Sequence, residues 1–395
     1  MKGIGRIQII LIIILCFISK SLYSGLTANA EKLDSASKVV KEEVAYTGDF
    51  VRNMNGGIST GNAYLGKFDF GLSLNTEMLG LWKGGRFKIL ATAVHGGIPS
   101  EKFIGDYQVA SNIEAGKHQY IEELYYEHHF LNTNIKAGVQ DLNCDFAVGT
   151  AACNFLNSSF GIQPTITGNL PVSTYPLTTL AVTLDHSFQE YLSIKTGFFD
   201  GHPGDFDSDP YRINWNLCDE EGVFSIAEIF FTPDNSFYIK TGGYYHNNCK
   251  IPQQLNNGAM DNKPNYGFYL ISEKTWFRTK GEKLLDIFIQ LGSAPESKNI
   301  NPYYVGGGVV LHPSESNMFF HNYGFAIAHA RFNQQLIPES RDNNCETTLE
   351  GYLTFDIINR INIQPCVQYI INPGFQEYLP NALVGLLRVD VSFIN

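Results

Sequence analysis

Residues 382–393, near the carboxyl end, constrain the fold more than any other stretch of this chain. One alternating row of the segment is almost wholly apolar: Leu383, Gly385, Leu387, Val389, Val391 and Phe393. The other row turns polar toward its end: Ala382, Val384, Leu386, Arg388, Asp390 and Ser392. A period of two with one apolar face predicts a β-strand whose two sides meet different media. The length of the segment and its aromatic residue near the end favour a strand that spans an outer membrane and closes a β-barrel.

Sixteen segments have the pattern of such strands. They lie at 44–52, 62–75, 85–95, 120–130, 133–140, 178–186, 190–199, 222–231, 235–245, 266–276, 283–291, 303–311, 321–331, 347–357, 360–371 and 382–393. Their connections alternate in length. Short turns are predicted at 131–132, 187–189, 232–234 and 358–359, and long loops at 96–119, 141–177, 200–221, 246–265 and 332–346. The alternation predicts an all-β, antiparallel, up-and-down transmembrane barrel with short periplasmic turns and long extracellular loops, and with a lumen wide enough for water.

One residue interrupts this pattern. Pro365 lies inside the strand predicted at 360–371. Because proline has no backbone N–H to donate to a neighbouring strand, we expect a β-bulge at this position.

Bulk composition agrees with a barrel that has a wet interior. The mean hydropathy is slightly negative, and beyond the amino end no segment approaches the roughly 20 apolar residues of a membrane helix. The chain has 37 Gly, 21 Tyr and 28 Phe, and barrels use glycine at bends and aromatic rings at both membrane interfaces. Soluble β-proteins share this composition, so it supports the barrel without deciding for it.

The amino end has the pattern of a secretory signal peptide. Lys2 and Arg6 give a basic start, residues 7–18 are apolar apart from Gln8, and Ala28-Asn29-Ala30 offers a cleavage site. We expect three parts: a signal peptide at 1–30, a short periplasmic segment at 31–43 and an outer-membrane barrel at 44–395.

The charge of the mature chain bears on its partners. Cleavage after residue 30 removes three basic and no acidic side chains, so the formal net charge falls from -11 to -14. Nothing in the sequence resembles a basic stripe, and this argues against a nucleic-acid partner.

Six cysteines remain after cleavage: Cys144, Cys153, Cys218, Cys249, Cys345 and Cys366. An exported chain can form disulfides, and no pair has the C-x-x-C spacing of a zinc site. Cys144 and Cys153 flank a short segment of one loop and are the first disulfide candidates. Cys218 with Cys249 is the second, and Cys366 is expected to be a free, buried thiol.

The longest loop, 141–177, is rich in Asn, Ser, Thr, Gly and Pro, with Phe146, Phe155 and Phe160 between them. A loop of this length in a compact protein is usually functional or disordered. We expect it to fold inward and narrow the channel. The alternative is a surface loop that shields the barrel.

Several short motifs carry a resemblance to a known family. They are Tyr46-Thr47-Gly48-Asp49, Gly61-Asn62-Ala63-Tyr64-Leu65-Gly66, Glu122-Glu123-Leu124-Tyr125-Tyr126-Glu127, Tyr175-Pro176-Leu177, Phe199-Asp200-Gly201-His202-Pro203-Gly204-Asp205 and Gly306-Gly307-Gly308-Val309-Val310. Through them the chain resembles, over about 44–393, the carbohydrate-selective porins of Gram-negative outer membranes, the OprB family. The resemblance implies a monomeric sixteen-stranded barrel that passes glucose and related sugars by facilitated diffusion. A trimer stays open, because some porins trimerise.

A passage for sugars needs polar groups that replace lost water and aromatic faces for the C–H surfaces. The rows predicted to face the lumen offer ten such channel-lining residues: Arg86, Lys88, Glu123, Tyr125, Glu127, Lys136, Lys195, Lys240, Arg388 and Asp390. For each of them the alternative is a charge that is merely solvated or paired across the wall. Trp82 and Trp276 are expected at the membrane interfaces, whereas Trp215 lies in a long loop and is a candidate for stacking on a sugar.

Catalytic and metal-binding motifs do not appear in the sequence. It has no G-x-S-x-G elbow, H-E-x-x-H, P-loop or dinucleotide fingerprint, so we expect no enzyme, no cofactor and no metal. Small sugars and membrane lipid are the expected partners. Two other classes stay open: a porin for organic acids or general polar solutes, which a lumen of one charge sign would favour, and an outer-membrane barrel enzyme or adhesin.

Overall fold

The computed structural model describes residues 39–215, 217, 220–252, 260–278, 282–313, 321–336, 344–358 and 360–394. The predicted signal peptide at 1–30 and the candidate Cys218 lie outside these ranges. No helix within them is long and apolar enough to cross a membrane.

The described residues form one closed antiparallel sheet. Its strands are β1 (Val40–Asn55), β2 (Gly61–Asn75), β3 (Gly85–Gly96), β4 (His118–Phe130), β5 (Thr133–Gln140), β6 (Thr179–Gln189), β7 (Leu192–Asp200), β8 (Val223–Asp234), β9 (Phe237–Pro252), β10 (Met260–Phe277), β11 (Lys283–Ser293), β12 (Tyr303–Leu311), β13 (Tyr323–Arg331), β14 (Cys345–Leu353), β15 (Phe355–Ile358), β16 (Ile361–Ile371) and β17 (Ala382–Ile394). β1 pairs with β2 on one side and with β17 on the other, which closes the barrel. β14 and β15 fill one place in the wall, because both pair with β16 and only Thr354 separates them. The prediction of sixteen strands is confirmed.

Short helical turns lie in the connections. They are a π-helical turn at Ser100–Ile104, 3₁₀ turns at Leu142–Cys144, Ala152–Asn154, Gln334–Leu336 and Pro373–Phe375, and two one-turn α-helices, α1 (Ser158–Gly161) and α2 (Pro164–Thr167). We refer to residues 97–117 as loop 2, 141–178 as loop 3, 201–222 as loop 4 and 372–381 as loop 8.

Several predicted boundaries differ from those in the structure. β1 begins at Val40, so residues 40–43, predicted as part of a periplasmic segment, already pair with β2. The long loop predicted at 246–265 is wrong over most of its length, because β9 runs to Pro252 and β10 starts at Met260. Backbone pairing extends this hairpin through Asn-rich sequence that has little apolar alternation. Residues 253–259 lie outside the described ranges.

Two predicted turns are displaced along the chain. Residues 187–189 belong to β6 and residues 232–234 to β8, so the connections fall at 190–191 and 235–236. In both hairpins the register shifts just before the turn. The shift lets each strand continue past the polar residues that suggested its end.

The irregularity expected at Pro365 lies in the neighbouring strand. Pro365 stays in register with Leu387 of β17, without a bulge. Pairing between β16 and the next wall position stops at Cys366 on one side of the proline and resumes at Ile363 on the other. Pro365, which has no N–H to donate, therefore lies opposite the break at Thr354 between β14 and β15.

The two rows of β17 face different surroundings, as the alternation predicts. On the outer row, Leu387 and Phe393 are 39% and 49% exposed. On the inner row, Ala382, Val384 and Leu386 are buried. The lumen holds inserted loops. At the start of β17 the inner row packs against them and does not face water, so it can be apolar.

Loop 3 lies inside the barrel and packs on the inner wall. Phe146, Phe155 and Phe160 are each no more than 1% exposed. The Phe155 ring contacts Phe288 of β11 and Tyr352 of β14, at centroid distances of 5.6 and 4.9 Å. Apolar burial of this kind holds the loop across the channel.

Candidate functional site: the narrowed lumen

Buried wall carboxylates hold the backbone of loop 3. Glu228 accepts the N–H of Ala147 at 3.0 Å, and Glu273 accepts that of Ala151 at 3.0 Å. Glu350 accepts two further N–H groups of loop 3, those of Leu156 at 2.6 Å and Asn157 at 2.9 Å. A buried backbone N–H needs a partner, and hydrogen bonds to a charged acceptor are stronger than neutral ones. These three glutamates fix the position of loop 3 in the channel.

Loop 2 and loop 8 are held by one further glutamate. Glu346 of β14 accepts the N–H groups of Tyr107 at 2.8 Å and Gln108 at 2.9 Å in loop 2. It also accepts the N–H of Gly374 in loop 8, at 2.6 Å. A single side chain therefore ties two inserted loops to the wall.

A cavity of about 630 Å³ lies between loop 2, loop 3 and the wall. We call it the main cavity. Its polar lining comes from amides, hydroxyls and carboxylates: Gln108, Asn112, Glu114, Glu122, Asp141, Asn143, Ser158, Ser159, Thr167, Thr174 and Tyr175, with Lys67. Such a lining presents many acceptors and donors to a hydroxylated solute.

Charges in the main cavity are paired and stand beside an aromatic face. Lys67 Nζ lies 3.3 Å from a Glu122 oxygen and 5.0 Å from the centre of the Tyr175 ring. Thr92 donates to Glu122 at 2.7 Å. In loop 3, burial and the nearby Glu122 raise the pKa of Asp141 to about 7. The cavity therefore holds a neutralised cation, an aromatic ring and a carboxyl that is partly protonated near neutral pH.

A second polar region, which we call the charged strip, runs across β3 to β7. Arg86 Nε donates to Glu127 at 2.8 Å, and Lys88 Nζ lies 2.7 Å from Glu123. The register of β3 and β4 places both pairs side by side. The ring of Tyr125 lies near two of the cations. Its centre is 5.9 Å from Lys88 Nζ and 5.4 Å from Lys136 Nζ.

Loop 3 completes the charged strip with a carboxylate that is not among the predicted lining residues. Lys136 Nζ lies 2.8 Å from Asp145 of loop 3. Lys195 Nζ donates to the Asp145 carbonyl at 3.4 Å and lies 3.6 Å from Asp185. The structure therefore brings seven of the ten predicted lining residues into one region: Arg86, Lys88, Glu123, Tyr125, Glu127, Lys136 and Lys195.

The other three predicted residues lie elsewhere on the wall. Lys240 donates to the Val148 carbonyl at 2.8 Å and so holds loop 3. Arg388 binds a wall carboxylate at the line where the barrel closes. Asp390 accepts from Thr47 at 2.7 Å. Like the charges of the charged strip, these three side chains have partners within the protein.

Comparison with known families adds to this geometry. The family model described as "Carbohydrate-selective porin, OprB family" matches residues 59–393. The chain belongs to this family. The resemblance inferred from the sequence motifs is thereby confirmed.

Two relatives and one further porin place this OprB-family chain among known proteins. It is 21% identical to Porin B of Pseudomonas aeruginosa over 402 residues, which covers 89% of this chain and 87% of the relative. Its fold matches the high-pH structure of Pseudomonas putida OprB with a TM-score of 0.80 at 18% identity, over 90% of this chain and 94% of the other. A variant of the Rhodopseudomonas blastica porin matches with a TM-score of 0.52 at 8% identity, over 90% and 100% of the chains.

These findings fix the general class of the OprB-family chain. Its family and its structural neighbours are porins, which are channels rather than enzymes. Membership of this porin family also implies an outer-membrane location.

The structure does not contain the disulfide considered between Cys144 and Cys153. Both thiols are free and exposed in the structure. Loop 3 carries Cys144 beside Lys88 of β3 and Cys153 beside Lys240 of β9, so the two sulfurs face different parts of the wall. Cys249 is buried, and Cys218, its proposed partner, lies outside the described residues, so this second pairing stays a prediction.

Sequence reasoning missed several residues of the main cavity. Lys67 and Glu122 were not among the candidates, although Lys67 shares the inward row of β2 with Asp69, to which it lies 3.1 Å away. Tyr175 appeared only within a resemblance motif. Alternation alone could have found Lys67, whereas Tyr175 lies in a loop with no periodic signal. Within the described residues, no three His, Cys, Asp or Glu side chains are grouped so that they could hold a metal ion.

Proposed function

We propose that this OprB-family porin lets small neutral sugars of the glucose type diffuse passively across the outer membrane. The route runs through the main cavity, past loop 3 and along the charged strip. Loops 2 and 3 narrow the lumen, and hydroxyl, amide and carboxylate groups replace water around the solute. Binding stays weak on this view, because a sugar held tightly would leave slowly.

The pairing of lumen charges carries the proposal. Lys67, Lys88 and Lys136 each lie within 3.3 Å of a carboxylate. Arg86 and Lys195 also have carboxylate neighbours. A path whose charges are compensated side by side offers many hydrogen bonds with little net field, which suits a neutral polyol better than an ion.

The second candidate is a porin for organic acids or general polar solutes. A lumen dominated by one sign of charge would favour it. The compensated charges in the main cavity and the charged strip argue against it, so we place it second.

The test is planar-bilayer conductance of the purified mature protein. We expect open channels whose current falls in a concentration-dependent way when glucose is added, with little effect from gluconate at equal concentration. Liposome swelling with glucose and gluconate provides an independent readout. Channels that ignore glucose, or that gluconate blocks more strongly, would overturn the proposal.

We further propose that the chain acts as a monomer and that residues 1–30 are cleaved on export. The monomer is supported by the family to which the chain belongs, and the cleavage by the sequence pattern alone. Mass spectrometry of the exported protein tests the cleavage, and light scattering in detergent tests the monomer.

A further inference from the structure

Loop 4 packs against the amino-terminal end of β4. Ile121 donates its N–H to the Tyr211 carbonyl of loop 4 at 3.1 Å. The ring of Phe206 stacks on His118 at a centroid distance of 3.7 Å and contacts Tyr120 at 5.1 Å. These contacts give loop 4 a fixed position beside the route into the channel.

A second cavity, of about 340 Å³, lies under loop 4. We call it the loop-4 cavity. Its side chains include acids, a histidine, an arginine, an amide and the tryptophan of loop 4: Asp200, Asp209, His202, Arg212, Asn214 and Trp215. The volume falls in the range of about 300–1,000 Å³ found for small-ligand pockets.

Arg212 is the central side chain of the loop-4 cavity. It is only 6% exposed. One end of its guanidinium donates to the carbonyls of Thr178, at 3.3 Å, and of Pro203. Its buried Nε has no hydrogen-bond partner among the described residues. A buried donor without a partner is unfavourable. An acceptor on a ligand in the cavity would therefore form a favourable hydrogen bond with this atom.

An acceptor without a partner lies in the same lining. Asp200 Oδ1 is buried and has no hydrogen-bond partner among the described residues. His202 accepts the N–H of Gly204 through Nδ1 at 3.0 Å, which leaves its Nε2 to donate. The indole of Trp215 is held in place because its Nε1 donates to the Arg212 carbonyl at 3.0 Å. Donor, acceptor and a fixed aromatic ring thus meet in one small space.

We propose that the loop-4 cavity is an outer sugar-binding site, which takes one hexose-sized polyol before the solute reaches the main cavity. Adjacent hydroxyls of a sugar ring both accept and donate, so they satisfy Arg212 Nε and Asp200 Oδ1 together. The indole of Trp215 supplies the apolar face. The proposal rests on the proposed function and extends it to a second site outside the narrowed lumen.

The surrounding charges favour a neutral polyol over an ion. The carboxylates of Asp200, Asp209 and Glu221 line the cavity against one arginine, which excludes an anionic ligand. A divalent cation requires several ligands around one point, and the described residues contain no grouping of three such side chains.

The loop-4 cavity stands next to the main cavity. Thr178, whose carbonyl binds Arg212, donates its hydroxyl to the Glu122 carbonyl at 2.7 Å. Glu122 lines the main cavity. Thr178, which lines the loop-4 cavity, therefore connects its wall to that of the main cavity.

Tryptophan fluorescence of the full-length mature protein tests this site. The chain has 3 Trp, so the double variant Trp82→Phe, Trp276→Phe leaves Trp215 as the only indole reporter. We expect glucose to change its emission in a saturable way. Adding Asp200→Asn should weaken the apparent affinity at least tenfold, whereas Asp207→Asn, at an exposed position of loop 4 outside the cavity lining, should leave it unchanged. Retention of a heat-modifiable barrel band on gels shows that each variant is folded.

Three outcomes overturn the site. They are an emission that glucose does not alter, an equal response in the Asp200→Asn and Asp207→Asn variants, and a response to calcium chloride that glucose does not produce. Bilayer block by glucose is measured in parallel on the unaltered protein. If that block is present while the emission of Trp215 stays constant, the outer site is refuted and the proposed function stands. If both responses are absent, the proposed function fails as well.

Discussion

Arg388 of β17 and Asp49 of β1 form a two-point ion pair across the line where the barrel closes. Nε lies 2.8 Å from Oδ1, and Nη2 lies 2.7 Å from Oδ2. The two residues face each other in the register of the closing strands. Arg388 also donates to Asn112 of loop 2 at 2.7 Å. Barrel closure and the placement of loop 2 therefore share one guanidinium.

Removal of one partner of this pair should destabilise the barrel. Arg388→Ala leaves the fully buried Asp49 without its counter-charge, and breaking a buried pair in this way costs about 3–5 kcal/mol. We expect the heat-modifiability transition on gels to move to a lower temperature. Arg360→Ala, at an exposed arginine, is the control. Equal transition temperatures in the two variants would show that the pair contributes little.

The hydrogen bonds between Glu350 and the backbone of loop 3 should set the width of the channel. Glu350→Ala removes the acceptor of two loop N–H groups, and hydrogen bonds to a charged group contribute about 1.5–3 kcal/mol each. We expect a larger and noisier single-channel conductance with weaker block by glucose. Glu190→Ala, in an exposed turn, is the matched control. An unchanged conductance in Glu350→Ala would mean that apolar packing alone holds loop 3.

Removing one charge of a lumen pair should change ion selectivity. Glu123→Gln leaves Lys88 unpaired, whereas Lys88→Met leaves the carboxylate alone; in the structure the two charges lie 2.7 Å apart. In a potassium chloride gradient, we expect the reversal potential to shift toward chloride in the first variant and toward potassium in the second. The double variant should return to the starting value. Shifts of the same sign in both single variants would contradict the pairing.

The two thiols of loop 3 should react separately. Cys144 and Cys153 are exposed, whereas Cys249 and Cys366 are buried. In a Cys218→Ser background, we expect a small methanethiosulfonate to label both loop thiols in the folded protein and to leave the buried pair unlabelled. Peptide mass spectrometry identifies the sites. A loop-3 peptide two mass units lighter and without label would reveal a disulfide instead.

Loop 2 should be held more firmly at acidic pH. Burial and the nearby Asp106 raise the pKa of Glu114 to about 7, and burial raises that of Asp106 to about 6. Both pKa values exceed the ordinary 4.5 and 3.8, so protonation favours the packed loop. This stabilisation is complete below about pH 4 and is lost as the pH rises through 6 and 7.

Limited proteolysis with trypsin at Lys102 and Lys117, both exposed in loop 2, measures this effect. Glu114→Gln removes the cost of the charged form. Relative to the unaltered protein, we expect the variant to resist cleavage more strongly at pH 8 than at pH 5.5. The comparison at each pH cancels the pH dependence of trypsin itself. A ratio that stays constant between the two pH values would rule out the link.

Local patterns in the sequence predicted most of the wall. Period-two alternation along 382–393 gave β17 and its two faces, and the same signal located all sixteen strands. It also pointed to Lys88, Glu123 and Tyr125, which the structure groups in the charged strip. Where alternation was weak, as in 246–265, the predicted loop was wrong, because backbone pairing between β9 and β10 extended both strands without any apolar alternation.

The sequence by itself determined that this chain forms a barrel with an apolar outside, because strand formation and facing depend on residues only a few positions apart. Tertiary structure alone decided which side chains and loops contact one another in the lumen. Asp145 reaches Lys136, Glu350 reaches the loop-3 backbone, and Tyr175 stands over Lys67. These partners meet because closure of the sheet brings distant strands around inserted loops, and no local pattern encodes which carboxylate then satisfies which amide or cation.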